Sequence, residues 1–261
     1  MMDNLHSISR DNTYMILAYD QGFEHGPTDF DDSNVDPYYV FDIARHGKFT
    51  AIACQPGIAE KYWHGDYKDT PLLVKLNGKT RLQSGDPVSR QHCSVRRAQE
   101  LGASAVGYTI YLGSEHQQTM FQEFGSIVEQ AHEMGLAAVC WMYPRGSNVD
   151  DEMATENIAY GARIAHELGA DIVKVKDNGD EPGMHWAVRN AAQTDLVVAG
   201  GSKTDPETFL RNVERASNFG ASGIAVGRNV WQSEKPLKIT AGVRRILFDD
   251  MQAEEILDVM T

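Results

Sequence analysis

The sequence predicts a (β/α)₈ barrel, read as one domain over all 261 residues. Short apolar runs alternate with longer amphipathic ones about eight times, the rhythm of parallel strands joined by crossover helices. Four helical stretches also end alike, at Leu101-Gly102-Ala103, Met134-Gly135-Leu136, Leu168-Gly169-Ala170 and Phe219-Gly220-Ala221. A glycine just past a helix end takes the left-handed cap conformation, and a strand follows each within a few residues. The competing architecture is an open doubly wound sheet. That fold more often carries a glycine-rich dinucleotide turn after its first strand. Here that position reads Asp20-Gln21-Gly22-Phe23-Glu24-His25-Gly26-Pro27, without the fingerprint.

In chain order the strands fall at 14–19, 50–54, 72–76, 105–110, 137–141, 171–175, 196–199 and 223–226. Each is short and apolar, and is rich in β-branched or aromatic residues or runs into glycine or proline. The helices fall at 36–46, 94–101, 114–134, 153–168, 183–192, 206–219 and 235–248, with an additional C-terminal helix at 253–260. Pro206 sits where a first helical turn tolerates proline, behind Asp205 as a cap.

The formal net charge of −13 argues against a nucleic-acid binder, which needs a basic face. An anionic substrate must be held by local positive groups against this global field. No window is apolar enough to span a bilayer, and no secretory leader is visible, so no membrane partner is expected. Cys54, Cys93 and Cys140 are far apart and odd in number, which suits a reducing cytoplasm better than a disulfide framework. The histidines form no metal spacing, so no metal and no cofactor is expected.

The richest stretch is Asp171-Ile172-Val173-Lys174-Val175-Lys176-Asp177. Side chains alternate along a strand, so Lys174 and Lys176 share a face with Ile172. Two partly desolvated ammonium groups lower at least one pKa, and a neutral lysine attacks carbonyls to form a Schiff base. The plainer alternative is two lysines reaching solvent or an anion at a strand end. Periodicity does not choose between them.

A barrel places its chemistry at the C-terminal strand ends. There the chain offers Asp20, Lys75, Asn77, Trp141, Tyr143 and Arg145. The last two strands run into Gly200-Gly201-Ser202-Lys203-Thr204 and Gly227-Arg228-Asn229. Loops after strands seven and eight are this architecture's usual phosphate site, where glycine lets backbone N–H groups approach an anion. Ser202 and Arg228 add donors. Tight turns alone would also use such glycines. Asp20 serves as an acid/base or a lysine partner, or else as a helix cap. Tyr143 donates a proton or merely packs. Trp141 is a wall. Arg145 binds a second anion or is a surface charge, and Lys75 binds a second phosphate or simply pairs.

In order along the chain, the stretches ILAYDQGFEHGP (16–27), GIAEKYWHG (57–65), LLVKLNGKT (72–80), LGASAVGYTIYLGS (101–114), WMYPRG (141–146), GADIVKVKDNGD (169–180), AGGSKT (199–204) and GIAVGRNVWQ (223–232) resemble the archaeal-type, or DhnA-type, class I fructose-1,6-bisphosphate aldolases. The resemblance implies a metal-independent lyase of glycolysis and gluconeogenesis acting on a phosphorylated ketose. It implies a homo-oligomer, often a decamer. It implies Lys174 as the Schiff-base residue, Tyr143 as proton donor and acceptor, and Asp20 as a polar partner at the reacting carbons. Trp141 would line the sugar chain, and Gly200, Gly201, Ser202, Gly227 and Arg228 would hold the phosphate near the attached ketose. Lys176 would assist electrostatically. One position departs: the family commonly has histidine where Gln21 stands, and glutamine does not titrate. Relatives that make an aminodideoxyheptulosonate, or act as thiolases on a phosphorylated pentanedione, share these motifs and form the alternative. A silent phosphosugar-binding barrel is a further one.

Overall fold

The computed structural model describes residues 5–260. Eight parallel strands close into a barrel in sequence order. They are β1 (Tyr14–Tyr19), β2 (Ala51–Cys54), β3 (Leu72–Lys75), β4 (Ala105–Leu112), β5 (Ala137–Pro144), β6 (Ile172–Val175), β7 (Asp195–Ala199) and β8 (Gly223–Val226). The helices are α1 (Gln21–His25), α2 (Pro37–His46), α3 (Pro56–Tyr62), α4 (Val95–Glu100), α5 (Gln117–Glu133), α6 (Thr155–Glu167), α7 (Glu181–Ala191), α8 (Pro206–Asn218), α9 (Arg228–Trp231), α10 (Pro236–Asp249) and α11 (Ala253–Met260).

Helix ends follow the local chemistry. Gly102, Gly135, Gly169 and Gly220 all stand at φ of 72–87°, the region where glycine pays no Cβ penalty. Asp205 accepts from Thr208 N at 2.9 Å, capping α8 as its sequence predicts.

Five segments differ from the sequence reading. Strands β4 and β5 run on to Leu112 and Pro144, so Tyr143 lies inside its strand. Their ladder extends from Ala105–Ala137 to Leu112–Pro144. Mutual hydrogen bonding carries both beyond the apolar core that periodicity detects. The stretch after β1 is a one-turn helix, α1, rather than a loop. Helices α3 and α9 also escaped notice, being too short for a periodic signal.

Two cores result. One lies between barrel and helices. The other fills the barrel, with Ile8, Tyr14, Ile16, Ala51, Ala53, Leu73, Ala105, Ala137, Val139, Trp141, Ile172, Val197 and Ala225. Period-two alternation continues each inward row upward. Tyr14 and Ile16 lead to Asp20, Leu73 to Lys75, Val139 to Trp141 and Tyr143, and Ile172 to Lys174. The apolar interior thus ends in a layer of ionisable groups.

Trp141 lies over the adjacent strand because Gly107 on β4 has no side chain. A Cβ there would stand 2.0 Å from the Trp141 ring and 3.0 Å from Leu73. The Gly107→Ala protein should lose roughly 1–3 kcal/mol, the usual cost of overpacking. Urea unfolding checks this, and an unchanged midpoint would show that the ring moves aside freely.

Candidate active site

One cavity of about 470 Å³ opens at the C-terminal mouth of the barrel. Its lining includes eleven of the residues singled out from the sequence, Asp20, Trp141, Tyr143, Arg145, Lys174, Lys176, Gly200, Gly201, Ser202, Gly227 and Arg228, while Lys75 and Asn77 are buried outside it. Gln21, Glu24, His25 and Tyr111 line it as well.

At the floor, Trp141 pairs with Lys174 across β5 and β6. Two ammonium groups lie over its ring, Lys75 Nζ at 5.2 Å and Lys174 Nζ at 5.3 Å from the centroid. Such contacts favour cations in a desolvated site. Lys75 is fully buried and pairs with Glu24 Oε1 at 3.2 Å and Asp20 Oδ2 at 3.6 Å. Lys75 is therefore committed to these internal carboxylates, and its reading as a second phosphate ligand is withdrawn.

Lys174 is also buried but forms no ion pair among the described residues. Burial pushes its pKa down. Asp20 opposes that, and the cation of Lys75 adds to the lowering. Burial disfavours an ionised Asp20, yet Lys75 and Lys174 hold its carboxyl below the ordinary value. Asp20 occupies the cap position of α1 but makes no side-chain cap bond, so its ion pair is what fixes it. Tyr143 stands above these groups. Burial, Asp20 and Glu24 push its hydroxyl well above the ordinary phenol value, so it holds its proton.

The loops after β7 and β8 are built as one unit. Asn229 Nδ2 donates to Gly200 O at 2.6 Å and Ser202 O at 3.0 Å, and its Oδ1 accepts from Thr204 N at 2.8 Å. Arg228 Nη2 donates to Gly201 O at 3.4 Å, and its Nη1 lies 3.8 Å from Asp29. A Cβ on Gly227 would meet Ala18 O at 2.8 Å and the Gln21 amide nitrogen at 2.5 Å. Glycine is required there by that close approach. The other Gln21 amide atom, Oε1, is buried without a protein hydrogen bond.

On the opposite side of Lys174, Arg145 Nε and Nη2 donate to Glu152 Oε2 at 3.0 and 2.8 Å. Lys176 Nζ lies 2.9 Å from Glu152 Oε1. Among the described residues, no group of three or more His, Cys, Asp and Glu is placed to hold a metal ion.

A family model described as DeoC/LacD family aldolase matches residues 14–233. The chain belongs to the DeoC/LacD family of aldolases. Within it, this aldolase falls in the archaeal-type class I group. The fructose-bisphosphate aldolase class 1 of Thermoproteus tenax is 46% identical over 258 residues, which cover 98% of this chain and 97% of that protein. The Halobacterium salinarum enzyme of the same name is 44% identical and covers 96% of each. A solved structure of a Schiff-base-forming fructose-1,6-bisphosphate aldolase superposes with a TM-score of 0.90 at 46% identity, covering 95% of this chain and 99% of that one.

Sequence reasoning passed over several residues of this aldolase site. Asn229 was quoted only as a loop member, and Glu24 was left without a role. Glu152 lies in a polar stretch with no periodic signal.

The Lys75→Met enzyme tests the floor's electrostatics. A lysine forms a Schiff base only as the free amine, so a reaction at Lys174 is expected to show an acid limb below the ordinary lysine value of about 10.4. Removing Lys75 takes away one lowering charge and leaves Asp20 and Glu24, which raise it. The acid limb of borohydride inactivation should move to higher pH. An unmoved limb in a folded variant would detach Lys75 from the nucleophile.

Proposed function

We propose that this chain is a class I fructose-1,6-bisphosphate aldolase that cleaves its substrate reversibly through a Schiff base on Lys174. The activity rests on the relatives and the solved structure above. One observation supports the residue roles most. The buried Lys174 amine has a lowered pKa, and it shares a cavity with Asp20, Tyr143 and a glycine-built anion loop.

The free amine adds to the C2 carbonyl. Tyr143, which holds its proton in the resting site, donates it to the departing hydroxyl. Water leaves, and the iminium forms beside a tyrosinate. The iminium cation lies near Asp20 and Glu24, whose two negative charges are offset only once by Lys75. That imbalance stabilises a cation at Lys174 that appears only during the reaction. The tyrosinate then takes the C4 hydroxyl proton. The C3–C4 electron pair moves onto the iminium, and glyceraldehyde 3-phosphate departs. Tyr143 returns its proton to C3 of the enamine, and water releases dihydroxyacetone phosphate.

Gly200, Gly201, Ser202, Gly227 and Arg228 hold the ketose phosphate. Arg145 and Lys176, on the β5 side of the nucleophile, hold the second one. The two phosphates orient the reacting carbons through remote binding energy. Trp141 forms the wall under the sugar chain. One barrel unit over 1–261, assembled as a cytoplasmic homo-oligomer such as a decamer, completes the reading.

Borohydride trapping with fructose 1,6-bisphosphate in EDTA, read by peptide mass spectrometry, should place the adduct on Lys174. Lys174→Ala should give none, and an adduct that persists on another lysine would sink the assignment. Tyr143→Phe should lower kcat by roughly 10²–10⁴-fold, the range for loss of a general acid/base. Near-normal turnover would remove Tyr143 from proton transfer.

A further inference from the structure

Two cations at the mouth, Arg145 and Lys176, share one carboxylate. Glu152 takes both, with Oε2 accepting from Arg145 Nε and Nη2 and Oε1 lying 2.9 Å from Lys176 Nζ. One carboxylate thus bridges the two cations, a single oxygen taking both guanidinium N–H groups, and a phosphate carries the oxygens to replace it at both. Arg145 and Lys176 line the cavity, and Glu152 is not among its lining residues.

Glu152 is held in place by its segment. Its neighbour Asp151 accepts from Met153 N at 2.8 Å, and Asn157 Nδ2 donates to Asp151 O at 2.9 Å. Asn178, from the loop after β6, donates to Met153 O at 3.0 Å. The next acidic residue on the rim, Asp177, is already used by Arg215 at 2.5 Å. Glu152 is therefore the carboxylate that sets the charge of this cation pair. Burial opposes its ionisation, but Lys176 and Arg145 keep its carboxyl below the ordinary value, so it is charged at neutral pH.

We propose that Glu152 is a resident counter-ion that sets the selectivity for bisphosphates over ketose 1-phosphates. It keeps Arg145 and Lys176 assembled while the site is empty and reduces their combined charge from two to one. A second phosphate then meets an attenuated receptor, and the triose phosphate product is not trapped there. Glu152 acts through Arg145 and Lys176 and touches no reacting atom, so it is a positioning residue. The inference rests on the reading that these two cations hold the second phosphate.

The test compares kcat/KM for fructose 1,6-bisphosphate with kcat/KM for fructose 1-phosphate, which lacks that phosphate. Glu152→Gln keeps the shape and removes the charge. The bisphosphate-to-monophosphate ratio should rise about fivefold, the effect of one unit charge a few ångström away in a water-exposed site. Product inhibition by glyceraldehyde 3-phosphate should tighten by a similar factor, and both changes should fade at high salt. Glu152→Asp restores the charge and should return the ratio toward wild type. Arg145→Met separates the two readings. A ratio that collapses in Arg145→Met but is unchanged or lower in Glu152→Gln overturns the counter-ion role alone. A ratio unmoved in both variants overturns the phosphate reading of the pair as well.

Discussion

The mouth of this barrel depends on a fully buried lysine. Lys75 pairs with Asp20 and Glu24 and lies over the same indole ring as Lys174. Burying an ammonium group is costly, and removing one member of such a pair strands the rest at roughly 3–5 kcal/mol. The set is accordingly all or nothing. It draws Asp20 to the top of β1 and ties Glu24 on α1 to β3. It also supplies a cation that adds to the lowering of the Lys174 pKa. In the proposed reaction Lys174 becomes an iminium, and the carboxylates that raise its pKa become its counter-charge. The same groups therefore serve the resting amine and the cationic intermediate.

The two ends of the cavity are constructed differently. Where the β7 and β8 loops meet, one buried amide, Asn229, fixes backbone carbonyls, and the proposed phosphate falls to N–H groups and Arg228. At the β5 side the receptor consists of side chains, fixed by a carboxylate rather than by backbone. A rigid backbone cradle suits the phosphate of the ketose that stays attached. A softer side-chain pair suits the half that must leave after one bond breaks. In both places a carboxylate stands by the arginine, Asp29 near Arg228 and Glu152 against Arg145.

The barrel was legible because its signals repeat. Eight apolar runs and four identical glycine stops are local features that no distant contact contradicts. Site residues at strand ends were legible through period-two alternation, which carries Lys174 and Trp141 upward from an apolar row. Choosing Lys174 over Lys176 was beyond periodicity, since both share a face, and only resemblance made that choice. In the structure the two differ in depth. Lys174 is buried against Trp141, while Lys176 has passed the end of β6 and pairs with Glu152. Glu24 was hidden because a one-turn helix gives no periodic pattern. Lys75 was visible but ambiguous, because its partner is 51 positions away.

Gly107 bears on what kinds of molecule this scaffold can process. It carries no reactive group and sits on β4, away from the nucleophile's strand, yet it determines how low the Trp141 ring can lie. A side chain there would displace the indole that lies against both lysines. The setting of the Lys174 amine thus depends on the thickness of the strand on the far side of β5. Among barrels sharing this catalytic layer, the residue at this level of β4 would act as a shim. It would fix the depth at which the carbonyl meets the amine, and so the length of chain that fits between the nucleophile and the distal anion site.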